Sequence, residues 1–383
     1  MYKIPEKADV VLIHPSKNSV YGAIDDNLTS KTPDILMGLI DAYLEVNGLV
    51  SVILDREVLN LSDEQILELI IKLNPKCVGV FAEGVNVSAS TQTMPAVITF
   101  CNEVASKFPE GIKTFVYGGH PTVLPERTIE ETNADYIILG EGYDPILDLI
   151  INLIEKKSVD NIDGLVFKAK NSSGKEFFKQ NPMPPLKNVN DLPQINWQKM
   201  PPSDYRAHNW HCFGDEIDSR SPYGVIWTGM GCAYPCEFCC VNNIFGKRTF
   251  RFRDMESVVK EIDILVNEYG VRNLRILDEL FIIKHPRIEQ FCDLLDERGY
   301  DLNIWCYARV DSVTPAMLKR LKAVGVNWIG YGFEAGDNEE ALSSINKHVR
   351  KGSYTNDEVV KMTRDAGINM IGHAILGLYD DDE

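Results

Sequence analysis

Apolar residues in this chain fall into short runs separated by stretches with helical spacing. VVLIHP (10–15), LVSVILD (49–55), CVGVFAEG (77–84), TFVYGG (114–119) and YIILGEG (136–142) have the length and composition of buried strands. Between the first two, TPDILMGLIDAYLEVNG (32–48) puts Leu36, Leu39, Ile40, Tyr43 and Leu44 on one helical face. Thr32 as N-cap, Pro33 at the first position and Gly48 as the stop predict its bounds. SDEQILELIIKL (62–73) opens with Ser62 and Gln65 in capping-box spacing. Alternating strands and helices predict a parallel sheet, whose ligands bind beyond the carboxyl ends of the strands. Three of those ends carry NVSAS (86–90), GGHPT (118–122) and GEG (140–142). Paired glycines either admit a flat ligand to the backbone or simply make a tight turn.

Residues 151–221 change character, being rich in Pro, Asn and Lys. A small hairpin around GLVFKAKNSSGKEFFK and then an ordered linker are expected. Within it, HNWHC (208–212) offers His208, His211 and Cys212 for packing, a metal or a substrate. Strand patterns resume with YGVIWTGMG, NLRILDELF (273–281), LNIWCYARVD (302–311), VNWIGYGFEAG (326–336) and INMIGHAILGL (368–378). Helical stretches such as EIDILVNEYG (261–270), PRIEQFCDLLDERG and TPAMLKRLKAVG lie between them. Repeated strand–helix units predict a barrel with its chemistry at the strand C-termini. Asp278, Glu279, Arg309, Asp311 and Glu334 fall there. Residues 222–383 number 162, against roughly 250 for an eight-fold barrel. The expected barrel is therefore partial, ending after its fifth strand with its C-terminal part missing.

Composition narrows the function classes. Of 383 residues, 44% are apolar and 25% charged, which suits a globular protein of two or three domains. No run reaches about 18 apolar residues, and the N-terminus lacks a signal-peptide pattern, so a cytoplasmic protein is expected, with no membrane partner. The net charge of −17 argues against a nucleic-acid partner. The basic run GKRTFRFR (246–253) is a local exception, a solvated face or a small-anion contact. In a reducing compartment, nine cysteines suggest metal or redox chemistry rather than disulfides.

Four of those cysteines crowd into GMGCAYPCEFCCVNN (229–243). A structural zinc site wants four ligands, usually from two separated pairs. Here there is one compact group, while Cys292 and Cys306 stand alone. Cys232, Cys236 and Cys239, spaced four and then three apart, suit a [4Fe–4S] cluster with one iron left open. Cys240 is then a bystander, since adjacent residues point different ways.

The Cys-x3-Cys-x2-Cys spacing after a strand, with Phe238 before the third cysteine, resembles the radical S-adenosylmethionine (SAM) signature. DVVLIHP, GGHPTVLPE and ADYIILGEG resemble the cobalamin-binding domain found ahead of such enzymes. DELF, ARVD, GFEAG and GHAILGL resemble that family's strand ends. The resemblance to cobalamin-dependent radical SAM proteins, above all class B methyltransferases, spans about 8–383. It implies an α/β chain with a Rossmann-like cobalamin-binding domain over 1–150, a hairpin and linker over 151–221, and a radical SAM core over 222–383. It implies Cys232, Cys236 and Cys239 as cluster ligands. It places Asp278 or Glu279, Arg309 and Glu334 against SAM, and Ser88, Gly118, Gly119, His120, Gly140 and Glu141 around cobalamin. Many cobalamin domains carry Asp-x-His-x-x-Gly, whose histidine ligates cobalt. Here His14 is followed by Pro15, Ser16 and Lys17, and His120 also departs from the pattern. Cobalamin without a histidine on cobalt is expected.

The implied chemistry is reductive cleavage of SAM to methionine and a 5′-deoxyadenosyl radical, which abstracts a substrate hydrogen. Cobalamin supplies a methyl group to an unactivated carbon of a small metabolite. YRAHNWH and SPYG resemble, faintly, the branch that methylates phosphinate phosphorus. An external electron donor of flavodoxin or ferredoxin type is implied. Two alternatives remain open: oxidative cyclisation or rearrangement with the same cofactors, and a cobalamin-binding sensor with a vestigial iron–sulfur site.

Overall fold

A computed structural model describes residues 3–15, 29–84, 87–214, 217–336, 338–347 and 353–378. The chain forms two compact units. The first comprises Met1–Asn27, Asp34–Pro201 and Asn243–Gly246; the second comprises Leu28–Pro33, Pro202–Asn242 and Lys247–Glu383.

The first unit is built on a seven-stranded sheet of order β2-β1-β3-β4-β5-β6-β7. Its strands are β1 (Val10–His14), β2 (Ser51–Asp55), β3 (Cys77–Phe81), β4 (Lys113–Tyr117), β5 (Tyr136–Ile138), β6 (Leu165–Lys170) and β7 (Glu176–Gln180). The first five run parallel. Every residue of β1, β2 and β3 is buried, as expected of a sheet covered on both faces. The strand order reverses between β1 and β3, which makes their carboxyl ends a switch-point crevice. The expected hairpin forms as β6 and β7, but it does not stand apart: β6 pairs antiparallel with β5 and extends this sheet. Edge pairing satisfies backbone groups that β5 would otherwise leave open.

The helix Ile35–Val46 starts later than expected, with Asp34 rather than Thr32 as N-cap. The Asp34 carboxylate accepts from the Met37 N–H at 2.9 Å. The Thr32 hydroxyl instead donates to Ser30 Oγ at 3.1 Å, and the Asp34 side chain satisfies the open N–H of the first turn. The capping box of Ser62 and Gln65 forms as expected on the helix Asp63–Leu73. Past the hairpin, the Lys199 ammonium is buried 2.8 Å from both Asp41 Oδ1 and the Ser51 carbonyl. This ties the connecting segment to the helix and β2.

The second unit has a five-stranded parallel sheet of order β14-β13-β12-β11-β8. The strands are β8 (Tyr223–Ile226), β11 (Asn273–Ile276), β12 (Asn303–Ala308), β13 (Val326–Glu334) and β14 (Asn369–Ala374). A two-stranded ribbon, β9 (Gly229–Met230) with β10 (Arg251–Phe252), follows β8. The amino ends of the barrel strands are closed by asparagines. Asn303 donates to Asn273 at 2.9 Å, and Asn327 donates to Asn303 at 3.1 Å. HNWHC packs onto this floor. Trp210 meets the rings of Trp305 and Trp328 at 4.8 and 5.0 Å, and His211 meets the Asn303 carbonyl at 3.1 Å. These contacts give the segment a packing role. Cys292 and Cys306 are buried in the core. No helix among the described residues is long and apolar enough to cross a membrane.

Candidate functional site

In the first unit, the carboxyl ends of β1, β3, β4 and β5 gather the sequence candidates. His14 ends β1 and is spent on structure: Nε2 lies 3.2 Å from the Glu83 carbonyl and Nδ1 3.4 Å from Asp55 Oδ1. Ser16 and Lys17, which follow in the sequence, lie outside the described residues. Beyond β4, Gly118 has φ +145°, and a Cβ there would stand 2.5 Å from the Ala82 carbonyl oxygen. Only glycine allows that approach. Gly119 opens the short helix Gly119–Val123. The His120 N–H donates to Ser90 Oγ at 2.9 Å, and its Nδ1 pairs with Thr91 Oγ1 at 3.0 Å. His120 Nε2 is buried without a partner, and burial holds the ring below the usual histidine range. The Gly140 N–H donates to Thr122 Oγ1 at 3.1 Å. Glu141 is buried, and its Oε2 accepts from the Lys187 N–H at 3.1 Å. Ser88 lies in the turn Val87–Thr93, but its side chain lies outside what is described.

Sequence reasoning missed Glu83. It is buried at the end of β3, and Oε1 has no partner. Burial, and then the charge of Asp34, push its carboxyl well above the ordinary range. A glycine-lined crevice with orphaned polar atoms (Glu83 Oε1, His120 Nε2) fits a large ligand bearing many amide groups.

In the second unit, the thiol loop begins at Gly231, where φ is +83°. Its bracing is local and tertiary. The Cys239 N–H donates to the Cys236 carbonyl at 3.2 Å, the Glu237 N–H to the Ile345 carbonyl at 3.0 Å, and Asn242 Nδ2 to the Tyr234 carbonyl at 2.8 Å. Burial pushes the Cys239 thiol up to about 11, and the nearby sulfurs of Cys240, Cys232 and Cys236 add to this. Cys232 is also raised, by burial and then by Glu279 and Cys236. These thiols therefore sense one another, and a metal must displace protons to bind them. Among the described residues, no three His, Cys, Asp or Glu groups converge as a single ion requires. A cubane takes each thiolate on a different iron, so three thiols on one loop need not converge on a single point.

The strand-end residues surround this loop. Asp278 is buried and accepts from both the backbone N–H and the hydroxyl of Thr228. Glu279 Oε2 accepts from the Gly231 N–H at 3.1 Å, while Oε1 is closed to solvent without a partner. Burial and the neighbouring Asp278 push Glu279 up to about 7. Arg309 forms a two-pronged ion pair with Asp311 at 2.9 and 3.2 Å, and its guanidinium lies 4.1 Å from the Tyr234 ring centre. Glu334 is buried with φ +54°, and its Oε1 pairs with Lys347. The Lys347 ammonium also donates to the Gly332 carbonyl at 2.7 Å. Lys347 had no signal in the sequence, since it sits in an aperiodic segment. In the basic run, Arg253 is spent on Glu261 at 2.6 Å, while Lys247 and Arg248 are exposed.

Comparison with known proteins adds to this geometry. The B12 binding domain model matches residues 22–150, and the Radical SAM superfamily model matches 228–383. An uncharacterized methyltransferase of Pyrococcus horikoshii, PH0819, is 27% identical over 323 residues, covering 84% of this chain and 64% of that protein. The anaerobic magnesium-protoporphyrin IX monomethyl ester cyclase of Rubrivivax gelatinosus is 24% identical, covering 97% of this chain and 63% of that protein. The chain thus spans less than two thirds of the length of these relatives. Among solved structures, the radical SAM methyltransferase TsrM from Kitasatospora setae superposes with a TM-score of 0.72 at 18% identity, covering 96% of this chain and 68% of the other. The cobalamin-dependent radical enzyme OxsB gives 0.72 at 19%, covering 97% and 49%. With a B12 binding domain ahead of a radical SAM domain, the chain belongs to the cobalamin-dependent radical SAM family, whose cofactors are a [4Fe–4S] cluster, SAM and cobalamin.

Proposed function

We propose that this protein is a methyltransferase that cleaves SAM reductively and delivers a methyl group through cobalamin to an unactivated carbon, or a phosphinate phosphorus, of a small metabolite. The observation that carries this reading is the thiol loop docked against Glu279 by a hydrogen bond from Gly231. When bound, the cluster supplies an electron to SAM, and cobalamin supplies the methyl group.

The chain's own residues position these groups. Cys232, Cys236 and Cys239 hold the cluster, and Cys240 does not. Of the two acids after β11, Asp278 is consumed by Thr228, which leaves Glu279 to meet a cationic group of SAM. Arg309 and Glu334 complete the SAM contacts. Ser88, Gly118, Gly119, His120, Gly140 and Glu141 line the cobalamin site. Functionally, 1–150 serves cobalamin, 151–221 connects, and 222–383 serves SAM. An external flavodoxin- or ferredoxin-type donor supplies electrons, and the need for reduced thiols places the protein in the cytoplasm.

A second reading, cyclisation or rearrangement without methyl transfer, is favoured by the cyclase relative that matches 97% of this chain. A sensor with a vestigial cluster would have no use for the buried acids and arginine beside the thiols.

Anaerobic reconstitution tests the proposal. About four iron and four sulfide per chain are expected. Cys232→Ala, Cys236→Ala or Cys239→Ala removes them, whereas Cys240→Ala leaves them in place. With reductant, one labelled SAM should give 5′-deoxyadenosine and methionine, and a second should pass its methyl group to cobalamin and leave S-adenosylhomocysteine. Stoichiometric zinc without iron would sink the idea. 5′-Deoxyadenosine without any methyl transfer would favour the second reading.

A further inference from the structure

The face of the second unit's sheet turned away from its helices carries a buried cation that no carboxylate among the described residues pairs with. On β11, Leu274 packs beside Val271 and Leu265 on the helical side, at the point where Gly224 approaches. Arg275 therefore projects from the opposite face. It is 1% exposed. Its guanidinium lies 4.1 Å from the Trp305 ring centre and 5.8 Å from that of Tyr307. Nη2 reaches the Tyr307 hydroxyl at 3.4 Å, and the Tyr223 hydroxyl also bonds to this side chain. Among the described residues no carboxylate pairs with it.

A buried cation is costly unless an anion or a hydrogen-bond acceptor compensates it. The ring of Trp305 supplies part of that compensation. The surrounding polar atoms do not supply the rest. Arg275 Nε, Trp305 Nε1 and Trp328 Nε1 are all buried with no partner, and all three are donors. Trp305 and Trp328 are register partners across β12 and β13, and Trp210 touches both rings. Three unpartnered donors thus collect on one face, beside the Tyr307 and Tyr223 hydroxyls that already accept from Arg275. The asparagine floor and Trp210 close this face at the amino ends of the strands. Toward the carboxyl ends it opens: Tyr307 and Gly332 are half-buried, and His373 on β14 is exposed. Gly330 lies between, and a Cβ there would stand 2.8 Å from the Tyr307 ring and 3.2 Å from His373 Nε2.

We infer that this face binds the substrate through an anionic group, a carboxylate or a phosphate, received by Arg275 and the two indole N–H groups. A planar guanidinium suits both anions, because it offers paired donors to two oxygens. The aromatic walls favour an apolar body attached to the anion. This deepens the methyltransferase reading and rests on it only in taking the bound molecule to be the substrate.

The test is calorimetric titration of the reconstituted full chain with benzoate, phenyl phosphate and benzyl alcohol. At least one of the two anions should bind, and benzyl alcohol should bind about tenfold more weakly or not at all. The better of benzoate and phenyl phosphate identifies the anion. Arg275→Met should weaken the anion about tenfold, and Trp305→Phe, which keeps a ring but loses one donor, several-fold. If Arg275→Met fails to fold, Arg275→Lys keeps the charge without the planar fork, and it should also weaken the anion several-fold. Equal binding of benzyl alcohol, unchanged anion affinity in the Arg275 variant that folds, or no binding of either anion overturns the inference. Anion binding without SAM cleavage overturns the enzyme reading alone. SAM cleavage without anion binding overturns this inference alone.

Discussion

The backbone N–H of Gly231 donates to Oε2 of Glu279 at 3.1 Å, while Oε1 of the same carboxylate is buried with no partner. One oxygen thus fixes the start of the thiol loop, and the other is left for a ligand.

Those two oxygens make two variants separable. Glu279→Gln keeps an acceptor for Gly231 and should retain iron near the wild-type level while weakening SAM at least tenfold. Glu279→Ala leaves the buried N–H of Gly231 unsatisfied, at about 1–3 kcal/mol, and should lose iron as well. Iron and sulfide analysis beside equilibrium SAM binding distinguishes the pair. Equal iron loss in both would mean that the charge, not the hydrogen bond, holds the loop.

Glu334 and Lys347 form a buried ion pair at the end of β13. Removing one partner strands the other charge, at a cost of about 3–5 kcal/mol. Glu334→Ala should weaken SAM binding at least tenfold. Lys347→Met should lower the thermal midpoint, and the double variant should recover part of that loss. Binding titrations and thermal melts of all three are the measurement. Unchanged SAM affinity in Glu334→Ala would give that residue a structural role.

Neither histidine weighed from the sequence should ligate cobalt. His14 is held at both nitrogens, by Glu83 and Asp55. His120 keeps one bare nitrogen, Nε2, and so provides the sharper test. Electron paramagnetic resonance of bound cob(II)alamin should show no nitrogen splitting, with an unchanged spectrum in His120→Ala. Splitting that vanishes in this variant would make His120 the lower ligand.

His211 predicts an acid-sensitive fold. Burial pushes its pKa down to about 3, whereas an unfolded histidine titrates near 6.5. The neutral ring is stabilising above pH 6.5. As pH falls from 6.5 toward 3, the unfolded chain gains a proton that the folded one lacks, costing about 1.4 kcal/mol per pH unit. His211→Gln keeps a donor for the Asn303 carbonyl but cannot titrate. Urea unfolding of cluster-free protein, followed by tryptophan fluorescence, should show wild type losing more stability than the variant between pH 7.5 and 5.5. Parallel losses would place the acid sensitivity elsewhere.

The sequence by itself determined the elements and the grouping of the cysteines. Strand and helix periods follow from local burial, so the parallel strands and the Ser62–Gln65 capping box were legible in the order of residues. The candidate cluster ligands could be named from the sequence, because three thiols on one loop need only local spacing. What tertiary structure decided is pairing between residues distant in sequence. Hairpin β6–β7 joins the first sheet through β5, because edge hydrogen bonds are non-local. Asp278 and Glu279 are adjacent and chemically alike. Only the fold shows that Thr228, fifty residues away, saturates the first and leaves one oxygen of the second bare. Lys347, Glu83 and the buried Arg275 carry no periodic signal. Their significance is burial without, or with one, opposite charge, and burial is a property of packing that no local pattern encodes.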